Sequence, residues 1–132
     1  MTQEEKQLLL IDLCARLPYG VKVKCHFEDE PYTLLSINWD KEIVVIGFMN
    51  VDTFVTSKQK LVKIKPYIRP LSSMTEEEEQ EYSFLLNDGG WGVSENLISD
   101  CIDWLNAHHF DYRGLIPKGL AISTEVFNPY KD

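Results

Sequence analysis

Hydrophobic residues follow a helical spacing near the N-terminus of the chain. Apolar side chains recur there at steps of three and four residues: Leu10, Leu13, Cys14 and Leu17. This spacing places them on one face of a helix. Thr2 stands three residues before Glu5, which is the spacing of a capping box. Proline and glycine follow within residues 18–20 and stop the pattern. We therefore predict a first helix over residues 2–17.

From residue 21 the spacing of apolar residues changes to two, which is typical of a strand with one buried face. Strand patterns cover residues 21–27, 32–39, 43–46, 53–56 and 61–66, with turn-forming residues between most of them. Leu35, Ile37 and Trp39 are predicted to share one face of the second strand. Short strands joined by tight turns predict a small SH3-like barrel or a twisted antiparallel meander over about residues 21–66.

Helical spacing returns in the C-terminal half. Ser73 or Thr75 is a candidate N-cap before a run of glutamates, which favour the positive end of a helix. This pattern predicts a helix over about residues 75–87. Ser94 is a candidate N-cap for another helix over about 94–109, and Gly114 is suited to the left-handed conformation that follows a helix end. With a further candidate short strand over residues 120–123 and an irregular tail, the sequence predicts one α+β domain over residues 1–132.

Composition and charge narrow the class of protein. The chain is 44% hydrophobic and 26% charged, as in ordinary globular proteins. It has three cysteines and no Cys-x-x-Cys, which favours a reduced compartment, and neither a secretory signal nor a membrane span is visible, so we expect a cytoplasmic protein. The net charge is −8, with twelve acidic and three basic residues in 71–132. This balance disfavours binding of nucleic acid over the whole surface.

Aromatic, imidazole and charged residues concentrate in residues 103–115. Aromatic residues and arginine contribute most to the energy of protein interfaces. We therefore expect a non-enzymatic interaction or accessory module with a protein partner and no cofactor. The candidate partner-binding residues are Trp91, Trp104, Phe110, Tyr112 and Arg113. The alternative interpretation is that all five fill core and helix-end positions.

A metal-dependent hydrolase is one alternative function, with His108, His109 and Asp111 as candidate ligands. Adjacent residues on a helix point about 100° apart, so both imidazoles reach one ion only where the helix has unwound. The chain also has no Gly-x-Ser-x-Gly motif for a nucleophile. The pattern favours a packed helix end over a reaction centre.

A nucleic-acid-binding edge of the predicted barrel is the other alternative function. The chain has one basic cluster interleaved with an aromatic residue: Lys58, Lys60, Lys63, Lys65, Tyr67 and Arg69. This combination is found on nucleic-acid-binding surfaces. Lysines on an edge strand also discourage aggregation between sheets, and that interpretation is favoured for so short a cluster.

Three phrases of the sequence carry a resemblance to a known family. They are residues 13–22 (LCARLPYGVK), 64–78 (IKPYIRPLSSMTEEE) and 103–116 (DWLNAHHFDYRGLI). In these phrases the chain resembles a family of small uncharacterised proteins encoded in gut Bacteroides genomes and their mobile elements. The resemblance implies a bacterial or phage origin and a cytoplasmic location, and it implies no catalytic residue or cofactor.

Overall fold

The computed structural model describes residues 1–26, 30–87 and 95–130. Within these ranges the helices are α1 (Gln3–Arg16), α2 (Glu76–Asn87) and α3 (Glu95–Ala107). The strands are β1 (Lys22–Cys25), β2 (Tyr32–Asn38), β3 (Ile43–Asn50), β4 (Thr53–Lys60), β5 (Ile64–Ile68) and β6 (Ile122–Ser123). The predicted α+β class is confirmed, with an N-terminal helix before the strand-rich segment.

The strands form one open mixed sheet in the order β4-β3-β2-β1-β5-β6. All neighbours are antiparallel except β5 and β6, and β1 to β4 form a meander. Within the described ranges no pairing joins the first strand of this order to the last, so the sheet is not closed. The closed SH3-like barrel is therefore not confirmed, because β6 occupies the free side of β5 while the outer side of β4 stays open.

An irregularity in β2 changes which residues face the core. The register with β3 shifts between Leu34 and Ser36, as at a β-bulge. Leu34 is buried and Leu35 is exposed, while Ile37 packs against the core. The prediction that Leu35 and Ile37 share one face is therefore wrong. β4 is also longer than predicted, and a 3-10 turn at Leu61–Lys63 separates it from β5.

The main core lies between α1 and the inner face of the sheet. Its fully or nearly fully buried members include Leu9, Leu13, Val23, Val44, Ile46 and Ile64. A second cluster forms where α3 packs on α2, and it contains Trp104, Leu105 and Phe110. Burial of these apolar groups supplies the main driving force for folding.

The predicted N-cap residue types are confirmed for α1 and α2, whereas Ser94, the candidate cap of α3, lies outside the described residues. Thr2 and Glu5 form the capping box of α1, and Thr75 exchanges hydrogen bonds with Glu78 at the start of α2. α3 ends at Ala107, after which His109 takes the left-handed conformation at φ 63°; Gly114, further along the chain, is also left-handed at φ 75°, as predicted. None of the helices in the described ranges is long and apolar enough to cross a membrane.

Candidate functional site

Three segments that are distant in sequence meet at the end of α3. Arg16 donates from Nη2 to the Phe110 carbonyl at 2.5 Å. The Arg69 amide donates to the His109 carbonyl at 2.7 Å, and the Asp111 amide donates to the Arg69 carbonyl at 2.8 Å. The phrases 13–22, 64–78 and 103–116 are therefore parts of one structural unit.

A buried ion pair connects α1 to this unit. Arg16 Nε lies 2.7 Å from Asp12 Oδ2, and both side chains are fully buried. Arg113 donates to the other oxygen of Asp12 at 2.9 Å. The guanidinium of Arg113 lies 4.5 Å from the centre of the Tyr112 ring. Since a buried charge needs its partners, this set fixes the chain after α3 against α1.

The candidate partner-binding residues lie mainly inside the molecule. Trp104 is 8% exposed and Phe110 is 0% exposed. Tyr112 donates to Asn106 Oδ1 at 2.9 Å, and Arg113 binds Asp12. Trp91 lies outside the described residues. The four that are described therefore have packing roles and leave little surface for a partner.

The candidate metal ligands are each engaged with other groups. The His108 ring stacks on the Trp104 ring with 4.0 Å between their centres, and the His109 ring stacks on the Tyr130 ring with 3.9 Å between their centres. The Asp111 carboxylate accepts the backbone N–H groups of residues 115 and 116 at 2.8 and 2.9 Å. In the described part of the chain no group of three His, Cys, Asp or Glu side chains is placed to hold a metal ion. The geometry gives the hydrolase alternative no support.

His109 has an unusual environment for a histidine. Burial, followed by the charge of Arg16, lowers its pKa to about 4. Its Nδ1 is buried without a hydrogen-bond partner, and its backbone is left-handed. The ring is therefore neutral near pH 7 and serves as a packing surface for Tyr130.

The predicted basic cluster does not form one surface. Tyr67 is buried, and Arg69 makes a bidentate ion pair with Glu78 at 2.6 and 2.7 Å. That hydrogen bonding holds the pKa of Glu78 at about 2. Lys58 and Lys60 lie on β4, at one edge of the sheet. Lys63 and Lys65 instead line a cleft beside β1 and β6.

The face of the sheet opposite the core exposes an apolar patch near β4. This outer patch consists of Leu35, Met49 and Phe54, of which Met49 is 71% and Phe54 is 52% exposed. Gly47 lies beneath it, since a Cβ there would stand 2.8 Å from the Phe54 ring and 2.9 Å from Leu35. The glycine thus lets two side chains from different strands approach each other over β3.

No family model, curated protein or solved structure matches the chain. Sequence reasoning missed the outer patch and the buried pair Asp12–Arg16. The bulge that exposes Leu35 leaves no local signal in an alternating strand pattern. The alternation of Lys22, Lys24 and His26 was a usable signal for a basic strand face, but the strand opposite it was unknown.

Proposed function

We propose that the protein is a non-enzymatic interaction module of a bacterial or mobile-element system. It binds an extended segment of a partner protein along the outer edge of β4. The observation that carries the proposal is the position of β4, an eight-residue strand at the end of an open sheet, directly beside the outer patch.

The edge of β4 offers backbone hydrogen bonds to such a segment. An edge strand presents a row of N–H and C=O groups that pair with an added strand. Binding by strand addition takes affinity from these groups and specificity from alternate side chains. Within the described ranges β4 pairs with β3 alone, so its other side is open for addition.

The outer patch supplies the apolar part of the interface. Exposed apolar groups that cluster beside a polar rim mark protein-binding surfaces. Phe54 pairs with Met49 across the two strands, so both side chains lie on the same face. A partner side chain that points to this face would cover Phe54 and remove it from water.

Charge selects an acidic partner segment over a second copy of this chain. Lys58 and Lys60 follow Phe54 at even steps, so they lie on the same face of β4. A partner with carboxylates toward that end would complement them. Two copies would each bring a net charge of −8, which opposes self-association.

A bacterial cytoplasm fits this module. Cys14, Cys25 and Cys101 are all free thiols, as expected in a reducing compartment. The resemblance of the three phrases to Bacteroides and mobile-element proteins supports the same setting.

Selection of peptides from a random displayed library on the purified protein tests the proposal. We expect the enriched peptides to alternate apolar and acidic residues. Phe54→Ser should weaken their binding by about tenfold, as for an interface anchor. Val62→Ser is the matched control, because Val62 is 45% exposed and lies outside the outer patch, and it should leave binding unchanged.

Backbone methylation of a selected peptide separates strand addition from other binding modes. N-methyl groups on one set of alternate residues should abolish binding, and those on the other set should not, because only one set of N–H groups faces β4. The proposal would be contradicted if both sets of N-methylated peptides bound equally well. It would also be contradicted if the selected peptides bound the Phe54→Ser variant as tightly as the wild type.

A further inference from the structure

Cationic side chains face each other across β1 and β5. Lys24 is paired directly with Lys65 in the antiparallel register. The His26 amide donates to the Lys63 carbonyl at 2.9 Å, so the same register brings His26 opposite Lys63. His26 and Lys63 lie just beyond the ends of β1 and β5, and their side chains line the same cleft as Lys24 and Lys65. Together with Val62 and Ile122 they line a cleft of about 310 Å³, the basic cleft.

The basic cleft concentrates positive charge on an acidic protein. Like charges directly opposite each other in a sheet are destabilising. None of the described residues that line the cleft is a carboxylate, and within the described part of the chain neither Lys24 nor Lys65 has an ion pair. The chain as a whole has a net charge of −8. A concave site lined by one sign of charge focuses the field and attracts ions of the opposite sign.

We infer that the basic cleft binds the phosphate group of a ligand no larger than a nucleotide. Two facing ammonium groups match the double negative charge of a phosphate monoester, and lysine is a common phosphate ligand. Val62 and Ile122 provide an apolar wall for the group that carries the phosphate. The volume lies at the lower end of the roughly 300–1,000 Å³ range of ligand pockets.

A small ligand is favoured over a long polyanion. A nucleic acid needs a basic surface that follows several phosphates. Here the other lysines of the predicted basic cluster, Lys58 and Lys60, lie on β4, which three strands separate from β5 in the sheet order. Residues 71–132 add twelve acidic side chains. The site is also independent of the partner-binding edge, because no residue lines both.

Titration of the ¹⁵N-labelled protein with inorganic phosphate, AMP, adenosine and a short single-stranded oligonucleotide at low ionic strength tests the inference. We expect phosphate and AMP to shift the amide signals of β1 and β5, and adenosine to shift none. The double variant Lys24→Gln/Lys65→Gln should lose about tenfold or more in affinity for AMP, since each charged hydrogen bond contributes that much. Lys24→Arg/Lys65→Arg should keep binding.

The double variant Lys58→Gln/Lys60→Gln is the matched control, because it removes the same charge from β4. It should bind AMP as the wild type does, and well-dispersed amide signals will show that each variant is folded.

Three results would overturn the inference. They are no binding of phosphate or AMP, equal loss of AMP binding in both glutamine variants, and binding of the oligonucleotide alone. Stronger binding of AMP than of phosphate identifies a nucleotide-like ligand, and equal binding identifies phosphate itself.

Discussion

Asp12 and Arg16 carry charges inside the core, four residues apart on α1. Their side chains are fully buried, and Asp12 also accepts from Arg113. A buried ion pair adds little when complete, but removal of one partner leaves a charge that neither water nor protein compensates. The pair therefore matters most for the geometry that it imposes on residues 110–113.

Asp12→Ala is expected to lower the free energy of unfolding by about 3–5 kcal/mol, because Arg16 is then left as an uncompensated buried charge. Urea unfolding followed by circular dichroism measures this change. Asp103→Ala is the control, because Asp103 is exposed on α3 and its loss should change stability by less than about 0.5 kcal/mol. A loss below about 1 kcal/mol in Asp12→Ala would contradict this role.

His109 should make the stability of the protein depend on pH. In the unfolded chain its pKa is near 6.5, whereas in the folded protein it is about 4. The unfolded state therefore binds more protons between these values, so stability falls as the pH decreases from about 6.5 to about 4. Allowing for solvent near this half-buried ring, the contribution is on the order of 1–2 kcal/mol.

His109→Asn tests this contribution, since asparagine tolerates a left-handed backbone and does not titrate. As the pH decreases from 7 to about 4.5, the unfolding free energy of the wild type should fall by more than that of the variant. Urea unfolding of both proteins at each pH measures this difference. Identical pH dependence of the two proteins would show that His109 does not contribute. Other titrating groups cancel in the difference as long as the variant leaves their surroundings unchanged.

Sequence patterns locate residues that act locally. The sequence predicts the capping box of Thr2 with Glu5 and offers Ser73 or Thr75 as the cap of α2, of which Thr75 is the cap in the structure, because such caps lie within four residues. Asp12 and Arg16 were not recognised, because two charges four residues apart resemble an ordinary exposed pair. Their burial depends on Phe110, which is 94 residues away from Arg16 in the sequence.

At the level of the strands, β1 and β5 bring like charges together. Lys65→Gln removes one charge from the direct pair with Lys24. We expect the variant to gain about 0.2–1 kcal/mol in stability at low ionic strength, and the gain should shrink as salt screens the repulsion. Lys60→Gln is the control, because Lys60 is paired with Ile43 and should show no gain. Thermal or urea unfolding in phosphate-free buffer at two salt concentrations measures the effect.

The periodicity of the sequence predicts which segments are strands but not how they pair. Alternation identified β1, and the meander of the first four strands follows from short turns. The pairing of β1 with β5 is long-range, and the bulge in β2 reverses the face of Leu35. The two surfaces proposed for binding, the edge of β4 and the basic cleft, both depend on which strands are neighbours in the sheet. For that reason the sequence alone did not reveal either of them.

On the scale of the whole molecule, the sheet is open, and the irregular segment after β6 packs against it. The predicted barrel requires the strands of the sheet to close into a ring. In the structure β6 pairs in parallel with β5, and β4 remains at the other edge of the sheet. The segment after β6 has no regular helix or strand up to residue 130. Tyr130 nevertheless stacks on His109 and so connects this segment to the end of α3.

Tyr130→Phe is expected to destabilise the protein by about 1–3 kcal/mol. The Tyr130 hydroxyl donates to the Tyr67 carbonyl at 2.7 Å and accepts from the Lys22 amide at 2.8 Å. Burial raises the pKa of this hydroxyl above its ordinary value, so it stays protonated and keeps both hydrogen bonds. Its loss leaves two backbone groups of adjacent strands without their partner.

Urea unfolding measures the loss of stability in Tyr130→Phe, and hydrogen exchange at the Lys22 amide reports where it arises. We expect faster exchange at Lys22, because its amide then lacks the hydroxyl acceptor, and little change at amides in α2. Tyr19→Phe is the matched control, since the same hydroxyl is removed from a residue in the turn after α1 and stability should change by less than about 0.5 kcal/mol. If Tyr130→Phe matches this control, the two hydrogen bonds of the Tyr130 hydroxyl do not help to hold β1 and β5 together.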